Sequence, residues 1–159
     1  MRVAHYVERW LELSAGFVAA QVGRSRNAGV VISRDGWQNL DAFPYRPRHS
    51  LHVLRDHAPG RLKYAALRAQ LRPLLAAYRV DLVHVHFGYA ANDVLDVTAH
   101  RPYVLSLHGH DVTGLLHDSP QHYDRVVVVV YFWICLARVL AAAAERAGFP
   151  ADRMHVMPS

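Results

Sequence analysis

Cysteine is almost missing from this chain: Cys135 is the only one among 159 residues. A single thiol can form neither an internal disulfide nor a cysteine-based zinc site, and it is consistent with a reducing cytoplasm. Lysine is equally scarce, since Lys63 stands alone and the other seventeen of eighteen basic residues are arginines. Charged residues make up only 19%, too few for a disordered chain. The opening MRVAHYVERW carries Arg2, Glu8 and Arg9, so it has no apolar signal-peptide core. No basic run is interleaved with aromatics, and nucleic acid is therefore not an expected partner. Internal repeats and low-complexity linkers are absent too.

What is present suffices for one domain with a real core, because 52% of the residues are apolar. The formal net charge is +5 and the pI about 9.7. Arginine forks suit phosphate and carboxylate, so anionic ligands or an anionic membrane surface are candidate partners. The plain alternative is a solvated, arginine-rich surface.

Along the chain, short apolar runs alternate with helical patterns. Strands are expected at Val3–Val7, Ala28–Ser33, Leu51–Leu54, Asp81–Phe87, from Pro102 to His108, at Val126–Val130 and at Met154–Met157. Ser14 can cap a helix running through Gln21. Residues 34–50 read as a loop. Arg61–Tyr78 has an apolar helical face, with Pro73 expected to kink or break it. Ala90–Thr98 and Ala137–Ala147 complete the helices, the latter stopped by Gly148 and Pro150. The inner strands are apolar on both faces, as covered parallel strands must be. The fold class is therefore α/β, a Rossmann-like doubly wound, mainly parallel sheet in a single domain. Its functional loops should follow the carboxyl ends of the strands.

Two histidine groups end strands there. His84 and His86 (HVH) lie on one face of their strand by its two-residue period. His108, His110 and Asp111 (HGHD) end the next one. These residues suit polar contacts to a sugar or phosphate. They also allow a metal site, although the pattern H-x-H-x-D-H is not met. For His84 alone, a buried hydrogen-bonded side chain is the simpler reading.

DLVHVHFG (81–88), PYVLSLHGHDV (102–112), AGFPADRMHVMPS (147–159) and LSAGFVAAQV (13–22) together resemble landmarks of glycosyltransferase family 4, in that family's order. The resemblance implies the N-terminal, acceptor-side half of a GT-B fold, with two Rossmann-like domains and a cleft between them in the complete enzyme. It implies retaining transfer of a sugar from a nucleotide donor to a polysaccharide or lipid-linked acceptor, usually without a metal ion; no cofactor is expected. His108 takes the catalytic position, beside the donor sugar. Ser14, Ala15, Gly16 and Phe17 approach the donor phosphates and acceptor. His86, Gly88, Gly109 and Asp111 complete the substrate loops. Physically, a helix N-terminus behind Ser14 presents N–H groups to an anion, and an ordinary capped helix is the bland alternative.

The sequence also departs from the family. It ends at Ser159, where the family continues into a donor-binding domain with a pair of glutamates. The isolated domain is therefore expected to be inactive, with an open cleft that favours self-association or contact with the inner face of the membrane. Tyr131–Ile134 follow Val130 without a polar helix cap. Residues 126–144 carry one charge, Arg138, over a span long enough to cross a bilayer. A buried strand followed by a helix fits them better, because Arg inside a spanning helix is costly; an aberrant join in the reading frame is a third reading. Two other functions fit the residues: a non-catalytic α/β binding domain, and a metal-dependent hydrolase using His84, His86, His108 and Asp111.

Overall fold

The computed structural model describes residues 1–10, 15–51, 60–97, 101–115, 118–129, 132–135 and 138–157. Seven strands form a Rossmann-like α/β fold with strand order β3-β2-β1-β4-β5-β6-β7, and helical segments join successive strands except β2 and β3. The chain divides into two compact units, 1–83 and 84–159, and the boundary falls inside β4 (Leu82–His86). The order thus reads β3-β2-β1-β4 through the first unit and β4-β5-β6-β7 through the second.

In the first unit β1 (Val3–Val7) is buried along its whole length. It pairs in parallel with β2 (Ala28–Ser33), which pairs in parallel with β3 (Arg48–Ser50). Helix α1 (Gly16–Arg24) buries Val18 and Val22, one turn apart. Helix α2 (Gly60–Ala77) buries Leu67, Leu71 and Leu75, an i, i+4 stripe. Pro73 sits inside α2 without ending it. It removes one N–H donor, and the helix runs on for four residues. Residues 34–47 form the expected loop, and β3 replaces its last three residues. It lies just upstream of the strand expected at Leu51–Leu54, of which residues 52–54 lie outside the described residues.

In the second unit β5 (Tyr103–Leu107), β6 (Phe132–Cys135) and β7 (Met154–Val156) pair in parallel. The helix expected at Ala90–Thr98 is shorter: a 3-10 turn over Gly88–Ala90 leads into α3 (Ala91–Val94). The valine run is the largest correction. Residues Asp124–Val129 form helix α4, and the strand lies downstream in Phe132–Cys135. Tyr123 and Val126 are buried while Asp124 and Arg125 are exposed, a helical alternation. The aromatic and β-branched segment that follows suits the inner strand position better. Helix α5 (Arg138–Arg146) ends in a Schellman turn. Gly148, at φ 90°, donates to Glu145 O, and Phe149 N donates to Ala144 O. The described residues between 126 and 144 therefore form helix, strand and helix. No helix among the described residues is long and apolar enough to cross a membrane.

Candidate functional site

β4 and β5 are neighbours, and their last turns of chain bring the second unit's histidines together. The His84 and His86 rings stack 4.2 Å apart, as their shared strand face requires. The His86 and His108 rings lie 5.7 Å apart and nearly parallel, at 12°. His84 Nε2 is 2.7 Å from Ser106 Oγ, so His84 is a buried, hydrogen-bonded core histidine.

The chain then turns sharply. Phe87 adopts φ 74°, a conformation rare for a bulky side chain and common at functional turns. Its ring lies 4.6 Å from that of His108. Asp111 joins the two loops, since its Oδ2 accepts both Gly88 N–H at 3.0 Å and His108 N–H at 2.8 Å. Gly109, at φ 76°, lets the second loop fold back into a single π-turn over Asp111–Leu115. Tyr123 closes the floor, and its hydroxyl donates to Asp111 O at 3.0 Å. Gly88 has to be glycine here: a Cβ would stand 2.6 Å from Tyr123 Cε1 and closer still to the hydroxyl oxygen.

Burial sets the protonation of the site. His108 is only 9% exposed, and desolvation lowers its pKa to about 4. Its imidazole is therefore neutral near pH 7, with one ring nitrogen a donor and the other an acceptor. Burial raises the Asp111 pKa, opposed by the N–H groups of His108 and Gly88 and by His110. Tyr123 is pushed up by burial and by the nearby Asp111.

Of the expected site residues, His86, Gly88, His108, Gly109 and Asp111 converge in the second unit. Asp111 is fully buried and ties backbone to backbone. The first unit holds the other group. Ser14 lies outside the described residues. Ala15, φ −97°, takes the cap position of α1 without a side-chain hydrogen bond, which corrects the expected Ser14 cap. Gly16 opens the helix, and a Cβ there would meet Phe43 Cζ at 3.3 Å. Phe17 is 41% exposed. Sequence reading missed Ser106, Phe87 and Tyr123, whose roles arise from packing between distant segments. Among the described residues, no group arranged to hold a metal includes His108 or Asp111. No carboxylate belongs to a group arranged to hold a metal among the described residues, so the hydrolase reading is not favoured.

Neither a protein-family model nor a curated protein matches the sequence. Solved structures do match its fold. Anabaena HepE in complex with UDP and glucose aligns with TM-score 0.72 at 15% identity, over 99% of this chain and 44% of that one. The UDP-GlcNAc 2-epimerase of Neisseria meningitidis, bound to UDP-GlcNAc, gives 0.67 at 14% identity, over 98% and 45%. The epimerase of Methanocaldococcus jannaschii gives 0.62 at 11%, over 98% and 45%. The fold is thus that of a GT-B half-domain. The chain spans less than half the length of these structures.

Proposed function

We propose that this domain is the acceptor-side half of a retaining glycosyltransferase that moves a sugar from a nucleotide donor to a polysaccharide or lipid-linked acceptor. The observation that carries the reading is the convergence of His86, His108 and the two glycine loops at the carboxyl ends of adjacent strands, locked by Asp111. Ligands of open α/β sheets bind beyond such strand ends. A neutral His108 can accept from one sugar hydroxyl and donate to another group of the donor. Asp111 is a positioning residue that fixes the His108 and Gly88 backbones. The N-terminus of α1, with Gly16 and Phe17, offers N–H groups and a positive dipole end to donor phosphates. The UDP and UDP-sugar ligands of the fold's neighbours support a sugar nucleotide as donor.

In this reading a donor-binding half supplies most of the grip on the sugar nucleotide. The test combines the protein with a donor-binding GT-B half and measures sugar transfer. His108→Ala should reduce turnover at least roughly a hundredfold, in the range of a lost acid–base or electrostatic contact, and a thermal melt of the variant separates lost chemistry from the packing lost where this ring is buried against Phe87. Unchanged turnover would remove His108 from the mechanism. Release of a sugar nucleotide inverted at one carbon, without transfer, would replace the reading with an epimerase.

A further inference from the structure

The first unit carries a second polar concavity, at the amino-terminal end of β3. An open cavity of about 590 Å³ is lined by Arg46, Pro47, Arg48, His49 and Tyr78. We propose that it binds a phosphoryl group, in the form of a phosphomonoester of a small molecule or of a lipid headgroup.

Four observations support this. First, the lining is basic and polar and contains no carboxylate among the described residues. Neither Arg46 nor Arg48 ion-pairs with a carboxylate among the described residues. Two forked cations left without a counter-ion suit a bidentate oxyanion. Second, Arg48 is held in place before any ligand arrives. Its Nη1 donates to Tyr45 O at 3.1 Å, and its guanidinium lies 5.6 Å from the centroid of the Trp37 ring. An immobilised fork loses less entropy on binding. Third, His49 and Tyr78 are fixed to each other, with Nε2 and the hydroxyl 2.6 Å apart and rings 5.2 Å apart. They form a polar wall to the cavity. Fourth, Arg2 Nη1 donates to the backbone carbonyl of Tyr78 at 3.4 Å, so a further cation is tied to the residue that carries part of that wall. Many arginines of this chain lie on solvated surface; these enclose a volume, larger than a lone phosphate, that leaves room for the group it is attached to. β3 is the edge strand of the sheet, so pairing within the sheet does not close this side.

Calorimetric titration with inorganic phosphate, followed in parallel by tryptophan emission, tests the site, because Trp37 lies beneath Arg48. Wild type should saturate with a Kd of about 1 mM or tighter. The emission change should vanish in Trp37→Phe. R46Q/R48Q should weaken binding at least roughly tenfold. The single variant Arg46→Gln changes an exposed side chain with no bond of its own in the fold, so it keeps the test valid if the double variant unfolds; it should weaken binding as well. Vesicles of phosphatidylcholine with and without phosphatidic acid separate the sources. Binding to phosphatidic acid vesicles that is lost in the variants identifies a lipid headgroup. Phosphate binding without vesicle binding identifies a soluble phosphorylated molecule. Absence of saturable binding to either probe, or equal binding by wild type and both variants, overturns the proposal.

Discussion

At the residue scale, burial of neutral imidazoles makes stability depend on pH. His5 and His108 each have a pKa lowered from 6.5 to about 4 by desolvation. The unfolded chain therefore binds more protons between those values, and stability is full above pH 6.5 and falls as pH drops toward 4. Each histidine accounts for about 3 kcal/mol over that window. Asp111 works in the opposite direction, because its pKa is raised by burial; its share is present below 3.8 and is lost as pH rises through the folded value. Denaturant midpoints should fall between about pH 7 and pH 5 in wild type and fall less in His108→Gln. Equal slopes would show that His108 is not held neutral. Gly88 gives a second prediction. Gly88→Ala forces Tyr123 off Asp111 O and should cost about 1–3 kcal/mol. Tyr123→Phe loses the hydrogen bond and should cost about 1 kcal/mol. It also removes the atom nearest the new methyl, so the double variant should lose less than the sum. Strict additivity in urea melts would place Tyr123 away from Gly88. The position of the two histidine loops at the ends of β4 and β5 was legible in the sequence, because a glycine closes each apolar run, Gly88 after His86 and Phe87 and Gly109 after His108. Tyr123 was not: it acts on a carbonyl twelve residues upstream, and local patterning carries no trace of that contact.

At the scale of elements, apolar periodicity located β1 and β2 to the residue, and α2, β4 and α5 within a residue or so. These elements have one clear buried face or are buried throughout. β3 was not legible because Arg48, His49 and Ser50 form a polar edge strand and carry no apolar signal. The valine run failed for a different reason. Two adjacent apolar segments, 126–130 and 132–135, competed for the one position between β5 and β7, and each has strand propensity. Among the described residues Phe132–Cys135 pairs there, opposite Val104–Leu107, and the valines up to Val129 lie in α4. The clue lay outside the run, in buried Tyr123 and exposed Asp124 and Arg125, which continue a helical period into Val126. The helix assignment has a direct check at Val127, which is half-buried. In a helix Val127→Ala recovers up to about 0.6 kcal/mol of propensity against a small packing loss, so the thermal midpoint should rise or stay level. In a strand the same change forfeits a β-branched residue and should lower stability by up to about 1 kcal/mol. A clear drop in midpoint would restore the strand.

At the scale of the whole molecule, the formal charge of +5 is the ground for expecting an anionic partner. Sedimentation of the purified protein should show mass rising with concentration or co-sedimentation with anionic vesicles; a clean monomer that ignores lipid would remove the open-cleft expectation. Donor affinity is the more decisive property. The fold's neighbours with UDP or UDP-sugars bound are more than twice as long, and this chain corresponds to under half of each. Within this length, α1 offers the N–H groups of one helix end, and the His86–His108 loops offer two imidazoles. A helix end and a few neutral hydrogen bonds contribute on the order of a few kcal/mol. Bringing a flexible sugar nucleotide to rest costs at least about 4 kcal/mol before any gain appears. The balance falls well short of the roughly −8 kcal/mol of a micromolar complex. Calorimetric titration with UDP-glucose and UDP-GlcNAc should therefore give no binding tighter than about 100 μM, and addition of a donor-binding half should raise the affinity. Micromolar binding by this chain alone would show that it holds a nucleotide site of its own, and the division of labour proposed between the two halves would have to be redrawn.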